Sequence, residues 1–150
     1  MKKYASVLLA AFVLTTGLFT AEAAPADSGL SLSCASCLLM EKETGAILLE
    51  ENSHEKLEPA SVTKIMTLLL VMEAVDSGRI SLDDPVAVSA YAAGMGGSQV
   101  YLKEGEQMPV SEMIKCVTVV SGNDCSVALA EHLAGSEGAF VAQMNQRAQE

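Results

Sequence analysis

The sequence has few basic residues and only two histidines, and this scarcity excludes several classes of function. Lys and Arg total 9 of 150 residues against 19 Asp and Glu, a formal net charge of −10. A nucleic-acid-binding surface needs clustered basic side chains, so the composition argues against a nucleic-acid partner and favours a solvated acidic surface. His54 and His132 lie far apart in the sequence and form no metal-ligand pair.

No apolar run in the sequence reaches the roughly 20 residues that a membrane-spanning helix needs. The main run, from Val7 to Ala21, follows two lysines and ends at small residues. This order is typical of a secretory signal, so residues 1–23 are predicted to be a signal peptide cleaved before Ala24, with a membrane anchor as the alternative. Residues 24–33 are mostly small and polar and are predicted to form a flexible leader.

Four cysteines are present, and their spacing favours no single role. Cys34 and Cys37 are spaced as in a redox or zinc half-site, but no second pair with this spacing follows. Cys116 and Cys125 each lie among apolar residues. The favoured interpretation is four small buried side chains. Disulfides, which export would permit, and a metal or redox site are the alternatives.

Two short apolar segments near the start of the mature chain predict a β-hairpin. Leu38–Met40 and Ala46–Leu49 flank a polar turn that contains Gly45, which tolerates positive φ. Both segments are apolar throughout, so the strands are expected to be covered on both faces.

The strongest helical pattern runs from Ile65 to Val75, after Pro59 and before Gly78. It is apolar nearly all round, so the helix is expected to be central and buried. A short strand is predicted over 86–89. Later helices are predicted after an N-cap at Ser111, over 124–133, and from Ser136 onward. These patterns alone predict an α/β or α+β fold.

Ser61 and Lys64 lie at the head of the apolar helix, three residues apart and therefore on one face. A desolvated lysine can act as the base that activates a serine nucleophile, and a helix N-terminus favours a developing oxyanion. An ordinary helix cap is the alternative role for Ser61. Ser53 and Lys56 have the same spacing but lie in a polar stretch, which predicts a solvated loop.

Ser121-Gly122-Asn123 interrupts two apolar helical segments. This polar tripeptide predicts either a hydroxyl and an amide at a cleft or a turn between helices capped by Asn123 or Asp124.

Three stretches in order carry a family resemblance: 59–67, Gly96-Gly97-Ser98, and 119–124. Together they resemble the penicillin-binding serine D-alanyl-D-alanine carboxypeptidases, and the resemblance covers about residues 34–150. It implies the serine β-lactamase/transpeptidase-like fold, classed as α/β (α+β). In that fold an antiparallel sheet is flanked by helices, and about residues 65–150 would form a mostly helical lobe.

The resemblance also implies roles for individual residues. Ser61 would be the acyl-ester nucleophile, Lys64 its general base, and Ser121 a proton relay to the leaving D-alanine. Asn123 would hold the substrate amide, with Gly97 and Ser98 in a loop near the cleft. No metal or organic cofactor is implied.

The family's substrate and location follow from the same resemblance. The enzyme would trim the terminal D-alanine from peptidoglycan stem pentapeptides in cell wall biogenesis, and β-lactams would acylate the same serine. The protein would be exported and act extracytoplasmically, at the cell wall or the outer face of the cytoplasmic membrane. It would touch the membrane only peripherally, if at all, through a C-terminal anchor that these residues lack.

The third motif of the family, Lys-Thr-Gly, does not occur in the sequence. Residues 34–150 therefore resemble the N-terminal part of a catalytic domain, without its C-terminal strands. We expect an open edge on the hairpin, one bare face on the helix after Ser61, and an inactive, unstable fragment. Labelling of these 150 residues alone by a fluorescent penicillin would contradict the expected inactivity.

Three alternatives to a carboxypeptidase stay open. A class A β-lactamase shares the serine and lysine, although Gly122 stands where that class usually has Asp. A non-catalytic exported β-lactam sensor would acylate and stay acylated. A thiol redox protein would use Cys34 and Cys37 and would need one thiol with a depressed pKa.

Overall fold

The structure, a computed structural model, describes residues 29–30 and 32–150. The chain divides into two compact units, the first ending at Leu57 and the second running from Glu58 to Glu150. The predicted signal peptide, residues 1–23, and most of the predicted leader lie outside the described residues. Within the described part, no helix is long and apolar enough to cross a membrane.

The first unit contains the predicted hairpin, in which β1 (Cys37–Met40) pairs antiparallel with β2 (Ile47–Glu51). Gly45 adopts a φ of +72° in the connecting turn, as expected of a glycine there. The Glu41 carboxylate accepts hydrogen bonds from the hydroxyl and the N–H of Thr44, at 2.6 and 2.7 Å. These bonds, with one from the N–H of Glu43, hold the pKa of Glu41 below its ordinary value.

The apolar side chains of this hairpin are exposed, so the expectation that both faces are covered is wrong for the described residues. Leu38, for example, is 53% exposed, and Leu39, Met40, Ile47 and Leu48 are similar. No third strand pairs with β1 or β2 among the described residues. Among the described residues the hairpin therefore has the open edge that the sequence analysis expects.

The second unit is mostly helical, as predicted. A 3-10 turn (Ala60–Thr63) leads into α1 (Lys64–Asp76), and α2 (Ala90–Ala93) follows the short strand β3 (Pro85–Ala87). The remaining elements are β4 (Gln107–Pro109), α3 (Val110–Val120), α4 (Asn123–Ala134) and α5 (Glu137–Arg147). Strands β3 and β4 pair antiparallel, with Val86 opposite Met108.

The central buried helix is α4 rather than α1, which corrects the sequence-based expectation. Six residues of α4, all between positions 124 and 130, are buried. The small side chains of Ala128 and Ala130 allow close packing. Helix α1 buries one face through Leu70, Val71 and Ala74, whereas Ile65 on another face is 68% exposed. The bare face expected of this helix is therefore present.

The predicted N-cap at Ser111 is wrong. Helix α3 begins at Val110 directly after β4, with Pro109 at the N-cap. The backbone N–H of Ser111 donates to the carbonyl of Leu82 at 2.9 Å, so the loop before β3 supplies the partner that a cap would have supplied.

The four cysteines are free thiols with different environments: Cys34 is exposed, Cys37 and Cys116 are half-buried, and Cys125 is buried. The interpretation as buried small side chains is therefore right for Cys125 and wrong for Cys34. Desolvation, with the neighbouring Cys34 and Glu51, raises the pKa of the Cys37 thiol. A redox nucleophile needs a lowered pKa, so Cys37 does not fit that role.

Candidate active site

Ser61 and Lys64 are positioned by the junction between the 3-10 turn and α1. Ser61 lies within the turn, and Lys64 is the first residue of α1. Lys64 Nζ donates to Ser61 Oγ at 3.4 Å. The two side chains therefore face each other as the three-residue spacing predicts, at a distance from which a proton can be passed once the contact tightens.

The residue before Ser61 has an unusual backbone conformation. Ala60 adopts a φ of +48°, in the left-handed region that residues with a Cβ rarely occupy. The turn is closed by a bond from the N–H of Val62 to the carbonyl of Pro59 at 3.1 Å. Strained backbone of this kind concentrates at functional sites, and no pattern in the sequence indicates it.

Asn123 reaches Lys64 from the start of α4. Its Oδ1 accepts a hydrogen bond from Lys64 Nζ at 2.6 Å. Its Nδ2 donates to the carbonyl of Gly96 at 2.7 Å, and its backbone N–H donates to the carbonyl of Ser98 at 2.7 Å. The side chain of Asn123 therefore bridges the amine and the 96–98 loop instead of capping its own helix.

Gly97 lies directly against the Asn123 amide. It adopts a φ of +76°, and a Cβ built there would stand 2.8 Å from Asn123 Nδ2. That distance is shorter than real Cβ contacts, so a Cβ at this position would force the Asn123 amide to shift, and the positive φ also favours glycine. Of the two predicted loop residues, Gly97 thus contacts Asn123 closely, whereas Ser98 contacts it through a backbone carbonyl.

Ser121 occupies the C-cap of α3 with φ 60° and ψ 38°, in the left-handed conformation. Its hydroxyl oxygen is buried and has no hydrogen-bond partner within the described residues. Buried hydroxyls are usually paired, so this group retains unused donor and acceptor capacity at the turn between α3 and α4.

The second Ser-x-x-Lys sequence forms no comparable pair. The Ser53 hydroxyl donates to the Glu50 carboxylate, and Lys56 is exposed. Both residues belong to the first unit, in the polar stretch that follows β2. The expected solvated loop is confirmed.

A cavity of about 440 Å³ opens beside Lys64 and Asn123 within the second unit. Its far wall is apolar and comes from α4 and α5, including Ala130, Phe140 and Met144. A hydroxyl, an amine and an amide held together at a helix N-terminus can support nucleophilic acyl transfer. Within the described residues, no group of three or more His, Cys, Asp or Glu side chains is placed to hold a metal ion.

Comparison with known proteins gives the family. The family model described as D-alanyl-D-alanine carboxypeptidase, peptidase family S11, matches residues 20–150. The chain therefore belongs to the D-alanyl-D-alanine carboxypeptidase family.

Individual relatives agree with this assignment. The D-alanyl-D-alanine carboxypeptidase DacF of Bacillus subtilis is 47% identical, over 100% of this chain and 39% of its own length. DacC of Escherichia coli is 39% identical, over 97% of this chain and 39% of its own length. The chain thus spans about two fifths of these curated relatives.

Solved structures support the fold. The crystal structure of the carboxypeptidase DacD from Francisella tularensis matches with a TM-score of 0.75 and 38% identity, over 80% of this chain and 29% of that one. Penicillin binding protein 6B from Escherichia coli matches with a TM-score of 0.72 and 40% identity, over 80% and 40% of the two chains. The penicillin-binding-protein fold expected from the sequence is confirmed for the matched part.

Proposed function

We propose that the complete gene product is an exported serine D-alanyl-D-alanine carboxypeptidase whose nucleophile is Ser61 and whose general base is Lys64. The observation that carries the proposal is the contact of one amine, Lys64 Nζ, with both the Ser61 hydroxyl and the Asn123 amide. The substrate would be a peptidoglycan stem peptide ending in D-Ala-D-Ala, and β-lactams would acylate the same serine. No cofactor takes part.

In the proposed reaction, Lys64 and Ser121 transfer the protons. Unprotonated Lys64 Nζ accepts the proton of Ser61 Oγ as this oxygen attacks the carbonyl carbon of the penultimate D-alanine. The tetrahedral centre collapses, its C–N bond breaks, and the departing D-alanine amine takes up, through Ser121, the proton that Lys64 had accepted, which leaves Lys64 neutral again. Water then attacks the Ser61 ester while Lys64 accepts one of its protons. The C–O bond to Ser61 breaks, Lys64 returns the proton to Ser61 Oγ, and the shortened peptide leaves.

The roles of Asn123, Gly97 and Ser98 follow from their contacts. Asn123 would orient the Lys64 amine through Oδ1 and hold the substrate amide. Gly97 and Ser98 would form the loop beside the cleft and fix the Asn123 side chain and backbone. The Ser121 hydroxyl is buried and accepts or donates no hydrogen bond within the described residues, which supports its role as a relay, because a catalytic role is one explanation of such a group.

The proposal that the protein is exported depends on residues 1–23, which we propose to be a cleaved signal peptide. The enzyme would then face the cell wall, at or near the outer face of the cytoplasmic membrane.

Release of D-alanine from a synthetic peptide ending in D-Ala-D-Ala tests this function. The complete gene product is expected to release D-alanine over many turnovers, and Ser61→Ala is expected to release none. A stable penicilloyl adduct without D-alanine release would overturn the proposal in favour of the sensor. Rapid hydrolysis of a penicillin without peptide turnover would overturn it in favour of the β-lactamase.

A further inference from the structure

Asp124, the residue after Asn123, is a carboxylate fully enclosed within the second unit. Its Oδ2 accepts hydrogen bonds from the backbone N–H groups of Val100 at 3.0 Å and Leu102 at 3.1 Å. Its Oδ1 accepts from the N–H of Cys125 at 2.9 Å. Burial of a carboxylate is costly unless donors replace its water, and here backbone N–H groups of a distant loop do so.

The loop that supplies these donors is folded around the carboxylate. Tyr101, between the two donor residues, adopts a φ of +62°. Left-handed residues of this kind turn neighbouring N–H groups toward one anion. The Tyr101 side chain is 77% exposed, so packing of that side chain does not explain the conformation.

The same loop also holds Asn123. Its carbonyls at Gly96 and Ser98 accept hydrogen bonds from the side chain and the backbone of Asn123. Two adjacent residues of α4 therefore bind one loop at both of its ends, and only one of them, Asn123, contacts Lys64.

We propose that Asp124 is a positioning residue that keeps the 96–102 loop against α4 and so holds the Asn123 amide on Lys64. The inference rests on the proposed acyl-transfer function, because under that function the rate of acylation depends on the Lys64–Asn123 contact. Asp124 acts only through the loop and Asn123.

Asp124→Asn tests the proposal, because the amide keeps the shape of the side chain but turns an NH2 group toward backbone donors. In the complete gene product, the limiting rate constant of acylation by a penicillin is expected to fall about tenfold. This is less than the roughly hundredfold cost of displacing a catalytic group directly, because Asp124 acts only through the loop and Asn123. The matched control is Asp84→Asn. Asp84 also accepts a backbone N–H, from Ser81 at 2.8 Å, but it lies in another loop. That variant is expected to keep the rate within about twofold.

A double-mutant cycle separates positioning from general stability. In an Asn123→Ala background, Asp124→Asn is expected to change the rate by no more than about twofold, because residues that act through one contact are not additive. An equal fall in both backgrounds, or a wild-type rate in Asp124→Asn, would overturn the proposal. A wild-type protein that no penicillin acylates would overturn the proposed function itself, a distinct result.

If circular dichroism shows that Asp124→Asn does not fold, two variants of Tyr101 in the 96–102 loop test the proposal instead. Tyr101→Val places a β-branched residue at positive φ, whereas Tyr101→Gly removes the same exposed side chain and favours that φ. Slower acylation in Tyr101→Val than in Tyr101→Gly is expected. Equal rates in the two variants would contradict the proposal.

Discussion

Replacement of Lys64 by alanine is expected to slow acylation of Ser61 by a penicillin about 10²–10⁴-fold, the usual contribution of a general base. Lys64 Nζ is 3.4 Å from Ser61 Oγ, and among the described side chains it is the basic group that contacts this hydroxyl. The measurement is the time course of labelling of the complete gene product by a fluorescent penicillin. Circular dichroism checks that the variant is folded.

Lys56→Ala is the matched control for this substitution. Lys56 follows Ser53 at the same spacing, but the Ser53 hydroxyl is bound to Glu50 and Lys56 is exposed. Its loss is expected to leave the labelling rate unchanged. If Lys64→Ala and Lys56→Ala both acylate at the wild-type rate, Lys64 is not the base.

Gly97→Ala is expected to slow acylation about a hundredfold, because small displacements of catalytic groups have effects of this size. The added Cβ would stand 2.8 Å from Asn123 Nδ2 and would push the amide away from the Gly96 carbonyl and from Lys64. The positive φ adds a backbone cost of about 1–2 kcal/mol. The same labelling time course measures the effect.

Gly105→Ala separates the two causes in Gly97→Ala. Gly105 has nearly the same φ, +78°, but an added Cβ there meets no atom within 4 Å. This variant is expected to lose stability by the backbone cost alone and to acylate at the wild-type rate. Equal slowing in both glycine variants would show that strain, and not contact with Asn123, controls the rate.

Local patterns predicted the parts of the site that lie close together in the sequence. The apolar run after Ser61 predicted α1, and the three-residue spacing predicted that Ser61 and Lys64 face each other. The error about α1 has a physical cause. Helix α1 is apolar on nearly all sides, and such a helix needs other elements packed on every side to be buried. Among the described elements, the helix that is enclosed in this way is α4, which has small side chains.

The long-range part of the site could not be predicted from spacing. Asn123 is 59 positions from Lys64, and only the family resemblance placed them together. Ala60 and Ser121 adopt the left-handed conformation although neither is a glycine, so the sequence does not indicate these conformations. The surrounding fold imposes them. The role of Asp124 was also hidden, since a helix cap and a buried loop anchor have the same local sequence.

The most direct test of the central claim is the location of the penicilloyl group by peptide mass spectrometry of the acylated complete gene product. The structure predicts one adduct, on the peptide that contains Ser61, and none in Ser61→Ala. An adduct on Ser53 or Ser121, or an undiminished adduct in Ser61→Ala, would contradict the assignment of Ser61 and Lys64 as nucleophile and base.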